Sequence, residues 1–119
     1  MKKQEKKQEL TAQICKALTE KQASDVVIVD VRGISDIADY FVIASGKSFP
    51  QVKAIYENLE FEMEKLGIVA RRKEGLSEGR WIAVDYFDAI VHIFHEETRK
   101  FYQLEKLWMN GSNTVKYEE

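Results

Sequence analysis

Sulfur chemistry is almost absent from this chain. Its 119 residues hold one cysteine, Cys15, which excludes an intramolecular disulfide and makes the cytoplasm the expected compartment. Proline is equally scarce, with Pro50 alone, and there is no low-complexity stretch, internal repeat or interdomain linker. No apolar run approaches the ~20 residues that span a bilayer, so no membrane segment is expected. The opening Met1-Lys2-Lys3-Gln4-Glu5-Lys6-Lys7 leads into charges rather than an apolar stretch and is not a secretion signal. A basic excess is missing too: the formal charge is −2 and the pI about 5.8. Direct binding of nucleic acid dominated by phosphate contacts is therefore disfavoured. A mildly acidic surface suits a basic protein partner instead. A phosphate-cradling loop is lacking as well, because Gly75-Leu76-Ser77-Glu78-Gly79-Arg80 has no Lys-Ser/Thr ending and opens no helix.

What is present is enough for a core. The composition is 45% hydrophobic and 32% charged, and the length suits one domain over residues 1–119. The ordered part is expected over about 8–108, followed by a loose polar tail over 110–119. The most informative stretch runs from Arg80 to Phe94. Trp81–Val84 and Ala89–Phe94 are rich in β-branched and aromatic residues, and Asp85-Tyr86-Phe87-Asp88 between them carries turn-forming acids. This predicts a β-hairpin. Ile90, His92 and Phe94 share one face of its second strand and Ala89, Val91 and Ile93 the other, so that strand should lie inside a sheet covered on both sides.

Before the hairpin, Leu10, Ile14, Ala17 and Leu18 recur at helical spacing, predicting a helix over 2–22 with Cys15 beside its apolar stripe. The four lysines at 2, 3, 6 and 7 read as a solvated helix end rather than a basic arm. Val26–Val31 and Tyr40–Ser45 predict two strands, with Ser35-Asp36 between them resembling a helix start. Ser48 and Gln51 match a capping box for a helix carrying Val52, Ile55, Tyr56, Leu59, Met63 and Leu66 on one face, ended by Gly67. Ile68–Glu74 predicts an exposed strand. Glu96–Arg99 begins a last helix whose Phe101, Leu104, Leu107 and Trp108 should pack back on the body. The expected order is α-β-β-α-β-β-β-α: an α/β (α+β) fold with a mixed sheet of about five strands flanked by helices.

Candidate chemistry is thin. Asp30, Asp36, Asp39, Asp85 and Asp88 suit a metal site of the nucleotide-transfer kind if any of them converge, and turn and hairpin roles otherwise. His92 and His95 point to opposite strand faces, which disfavours a shared metal. Cys15 and His92 form no recognisable nucleophile–base pair. No cofactor or metal is expected. The hairpin mouth is richer, with Trp81, Tyr86 and Phe87 beside Arg80, Asp85, Asp88 and Glu74. Trp, Tyr and Arg are frequent interface anchors, although Trp81 could equally cover one end of the core.

Several stretches together resemble one family. They are Asp36–Gly46 with its Ala-Asp-Tyr-Phe strand, Gln51–Ile55, Glu74-Gly75, Trp81–Tyr86 through Val91-His92-Ile93-Phe94, and Arg99–Trp108. Their order and spacing resemble the ribosomal silencing factors, also called Iojap-like proteins, over residues 8–108. Phe87 departs from the glycine common in that family. The resemblance implies a nucleotidyltransferase-like topology without that group's Gly-Ser…Asp-x-Asp signature, which this chain also lacks, and so no enzyme. It implies binding to the large ribosomal subunit through ribosomal protein L-fourteen, blocking small-subunit joining and lowering translation when nutrients are scarce. Trp81 and Tyr86 would be central anchors, Asp85, Asp88 and Glu74 would meet basic side chains, Leu76 would pack at the edge, and Arg80 would belong to the same partner-binding set. Some relatives form dimers, which leaves a homodimer open. Two alternatives remain: a metal-dependent nucleotidyltransferase-like enzyme, and a direct RNA-binding module using Arg71-Arg72-Lys73 and the amino-terminal lysines.

Overall fold

The computed structural model describes residues 2–118. The chain forms, in order, α1 (Lys2–Thr19), β1 (Ser24–Asp30), β2 (Tyr40–Gly46), α2 (Phe49–Lys65), β3 (Arg72–Glu74), β4 (Trp81–Asp85), β5 (Ala89–His95), α3 (Glu96–Tyr102), α4 (Leu104–Trp108) and β6 (Thr114–Lys116). The strands make one six-stranded mixed sheet in the order β3-β4-β5-β2-β1-β6. Only the central pair, β2 with β5, is parallel, running from Tyr40↔Ala89 to Gly46↔His95.

The predicted hairpin is β4–β5, paired from Trp81↔Phe94 to Asp85↔Ile90. Residues 89–94 of β5 are all buried, as their apolar character on both faces requires. On one face, Ala89, Val91 and Ile93 meet Ile14, Leu18, Val52, Ile55 and Leu59 from α1 and α2. On the other, Ile90 and Phe94 join Val29, Phe41 and Ile43, with Leu104 and Trp108 packed on them. One face of the sheet thus carries two long helices, and the other only the short α3–α4 return.

The helix signals act as their chemistry demands. Ser48 Oγ accepts from Gln51 N–H at 3.1 Å, while the Gln51 side chain reaches Lys47 N–H at 2.6 Å. At the other end, Ile68 N–H donates to Met63 O and Gly67 N–H to Glu64 O, a Schellman closure around Gly67 at φ +77°. Cys15 is fully buried beside α1's stripe, and burial pushes its thiol up to about 12.

Four expectations change. The polar tail is not loose over its whole length: 114–116 form β6, antiparallel to β1 through Val27↔Lys116 and Val29↔Thr114, so the sheet has six strands rather than about five. Asn113 secures that return, its Nδ2 donating to Asp30 O and Trp108 O. Ser35–Asp39 starts no helix: Ser35 Oγ accepts from Ile37 N–H in a local turn. The last helix is two, because Gln103 turns left-handed at φ +50°. That break leaves Phe101 and Leu107 exposed while Leu104 and Trp108 pack inward.

The hairpin tip explains one departure noted in the sequence. Phe87 sits at φ +71°, where a Cβ is strained and glycine is at ease. Its ring is half exposed under the Arg71 guanidinium, 4.2 Å away, which offsets part of that strain. Phe87→Gly should therefore be no less stable than the parent. Phe87→Val, β-branched at positive φ and without the ring contact, should lose about 1–2 kcal/mol in urea unfolding. Equal stability of the glycine and valine variants would contradict this.

Candidate docking surface

β4 displays its side chains by parity. Trp81, Ala83 and Asp85 face the side that lacks long helices, whereas Ile82, Val84 and Tyr86 face α1 and α2. This separates the two expected anchors. Tyr86 is 4% exposed, lies in the helix-side core, and keeps a buried hydroxyl without a partner. Burial pushes its phenol pKa upward. Tyr86 therefore supports the hairpin from within and presents no ring to a partner.

Trp81 is half-buried and organises its neighbours. Its ring stacks on Phe94 at 4.7 Å and leans on Tyr102 at 5.1 Å, and Tyr102 meets Phe101 edge-on at 5.1 Å. The indole N–H donates to His92 Nδ1 at 3.0 Å. An indole can only donate, so Nδ1 must accept and the imidazole proton sits on Nε2. That nitrogen is buried without a partner, and burial lowers the His92 pKa to about 4. His92 is thus a neutral, core-facing ring, less satisfied than its sequence position suggests.

Around Trp81 lies a shallow cleft of about 310 Å³ lined by Ser77, Glu78, Arg80, Thr98 and Tyr102. Phe101, edge-on to Tyr102, is 81% exposed, and Leu107 on α4 is 75% exposed. Exposed aromatic side chains of this size, set on a stacked and hydrogen-bonded base, have the make-up of a protein-docking surface. Leu76, 38% exposed, is on the neighbouring 75–79 turn. The turn's approach depends on Gly75 at φ +83°, because a Cβ there would stand 2.0 Å from the Trp81 carbonyl oxygen. Arg80 pairs loosely with Glu78 at 3.3 Å and lies over the Phe49 ring at 5.4 Å.

The expected acids fall elsewhere. Asp85 ends β4 and pairs with Arg71 at 2.9 Å, while its other oxygen accepts from Phe87 N–H at 2.8 Å. Asp88 is at the hairpin tip, 3.8 Å from Lys7, which also binds Asp39. Glu74 is on β3, between the two ends. The structure therefore gathers Leu76, Arg80 and Trp81 at one end of β4 and Tyr86, Asp85 and Asp88 at the other. Asp30 pairs with Arg32, and among the described residues no three His, Cys, Asp or Glu side chains converge on a cation site. Of the basic run, Arg71 and Lys73 are held by Asp85 and Glu60. The side chains of Lys2 and Lys3 lie outside the described residues.

Sequence reasoning missed two residues. Tyr102 completes the aromatic stack, and its signal was only its place in the Arg99–Trp108 stretch. Arg99, with an 11% exposed side chain, donates to Glu105, Ser45 Oγ and Asp25 O, so it pins α3 and α4 to the sheet and thereby fixes where Phe101 and Tyr102 stand.

The molecule is thus a small α+β domain: a mixed six-stranded sheet with two long helices on one face and an aromatic shelf at the rim of the other. No helix among the described residues is long and apolar enough to cross a membrane. Its residues 4–119 match the family described as ribosomal silencing factor during starvation, RsfS, and the chain belongs to that family. It is 44% identical over 92 residues to the ribosomal silencing factor of Bacillus subtilis, covering 77% of this chain and 78% of that one. With the Halalkalibacterium halodurans silencing factor it shares 43% over 111 residues, 93% of this chain and 94% of the other. A mouse protein named for mitochondrial assembly of the ribosomal large subunit is 31% identical over 98 residues, 76% of this chain and 41% of its own length. A crystal structure from Bacillus halodurans superposes with a TM-score of 0.81 at 39% identity, covering 92% of this chain and 99% of that one.

Proposed function

We propose that this chain binds the large ribosomal subunit in the cytoplasm through ribosomal protein L-fourteen, and blocks the small subunit from joining by occupying a surface it needs. The exposed Phe101–Tyr102–Trp81 shelf carries the reading, because it offers large rigid apolar area on a buried, hydrogen-bonded support. Family membership and the mouse relative's name support a large-subunit partner. A standard interface takes roughly 800 Å² from each partner. That is about a tenth of this chain's 7178 Å² of surface, so the shelf and the adjoining 75–79 turn are the right scale.

Steric occlusion needs no chemistry at the site. The domain has only to bind and remain. Arg80 and Glu78 border the shelf and would set register and on-rate more than affinity. Glu74, Asp85 and Asp88 would form an outer rim, the last two only by sharing their present Arg71 and Lys7 partners.

The test uses dissociated subunits. The purified chain should sediment with isolated large subunits and, at saturation, suppress their reassociation with small subunits on a sucrose gradient. Normal reassociation in the presence of saturating chain would overturn the proposal. Sedimentation with large subunits stripped of L-fourteen, as strong as with intact ones, would overturn the named partner.

A further inference from the structure

A second depression lies on the same face of the sheet, between the Ile37 loop and the β3 edge, with a volume of about 420 Å³. Its apolar floor is Ile37, Ala83 and Ile90, and His92 forms one wall. Arg72 and Glu74 stand on the β3 rim. They are two residues apart on a strand and so share a face, with Cα atoms about 7 Å apart. Among the described residues neither has an ion-pair or side-chain hydrogen-bond partner, although both line the same groove and carry opposite charge. The other two charged groups there, Arg71 and Asp85, satisfy each other at 2.9 Å. The groove thus holds an exposed guanidinium and an exposed carboxylate on one rim above an apolar floor, while the His92 ring in its wall keeps its Nε2–H buried.

That set selects among ligand classes. A phosphate would meet Arg72 but be repelled by Glu74 and Asp85. A simple cation would meet Glu74 but be repelled by Arg71 and Arg72. A zwitterion satisfies both charges at once. We infer that the groove between the Ile37 loop and β3 binds a free α-amino acid with a branched or aromatic side chain. Its carboxylate pairs with Arg72, its ammonium pairs with Glu74, and its side chain lies on Ile37, Ala83 and Ile90. His92 also holds the Trp81 indole, so occupancy of the groove changes the surroundings of the docking shelf.

The inference does not depend on ribosome binding, since it is measured on the isolated chain. Isotopically labelled full-length protein is titrated with L-leucine and with L-phenylalanine and followed by NMR. Two comparators each lack one charge: leucinamide has no carboxylate, and 4-methylvalerate has no ammonium. Saturable shifts at Ala83, Ile90 and the Trp81 indole N–H are expected with at least one amino acid. Affinity should fall about tenfold for either comparator, and similarly for Arg72→Gln and Glu74→Gln. Both substitutions are at exposed positions, so unchanged resonances elsewhere will show the variants folded. Three results would each overturn the inference: no saturable shift at millimolar amino acid, comparators binding as well as the amino acid, or variants binding as well as the parent.

Discussion

Trp81→Ala is expected to weaken binding to isolated large subunits by ~2 kcal/mol or more, about thirtyfold, as for a central interface residue. Two contributions combine. The exposed edge of the indole is lost to the partner, and the shelf loses its base, because Tyr102 leans on Trp81 and Phe101 on Tyr102. The substitution also removes a ring stacked on Phe94 and leaves His92 Nδ1 without its donor, so some stability is lost as well. Circular dichroism must therefore show a folded variant before co-sedimentation is read. Tyr86→Phe is the matched control. It removes a hydroxyl that is buried and unpaired on the opposite face, so binding should be unchanged and stability unchanged or slightly higher. Undiminished co-sedimentation of folded Trp81→Ala would take the shelf out of the interface. Weakened binding by Tyr86→Phe would show that the hairpin's other side matters.

The second large effect is acid lability from one histidine. Burial lowers the His92 pKa from its ordinary 6.5 to about 4. Between those values the unfolded chain takes up a proton that the folded chain refuses. Stability is therefore fully present above the upper value and falls as pH drops through the window. The gap between the two values corresponds to about 3 kcal/mol. Asp30 and Glu60 have pKa values lowered by hydrogen bonds from Arg32 and Lys73 respectively, so their contributions disappear only at more acid pH, below the ordinary carboxylate range. Urea unfolding at a series of pH values from neutral down to the start of the carboxylate range isolates the histidine. The parent should lose stability steadily, and His92→Gln, which still offers Trp81 an acceptor, should be nearly flat. Equal slopes would show that His92 does not carry the effect.

Much of this molecule could be read from local chemistry. The β4–β5 hairpin, the burial of β5 on both faces, the Ser48 cap and the Gly67 closure follow from side-chain periodicity and from backbone groups that must be satisfied. The separation of Trp81 from Tyr86 was equally readable, since residues five apart on a strand face opposite ways. Treating the hairpin mouth as one cluster overlooked that parity. β6 was not readable: three residues, two of them exposed, have too little apolar surface to signal a strand, and the β1 edge gives them partners. Nor was the exposure of Phe101 and Leu107. Both fit the stripe of one continuous helix, and the left-handed Gln103 that divides it carries no glycine to announce the turn. Tyr102 joins Trp81 only because Arg99 fastens α3 to β1 and β2, a contact spanning more than fifty residues of sequence.

The parallel pairing at the middle of the sheet has a consequence for how the molecule comes into being. The two strands joined there are separated in the chain by α2, β3 and β4, so the sheet's centre is specified only after the later of the two has been made. Until β5 emerges, β2 waits with one bare edge and the nascent helices cover half a core. A protein proposed to obstruct ribosomes thus acquires its working shape only once the β4–β5 hairpin has been made and its second strand has found β2.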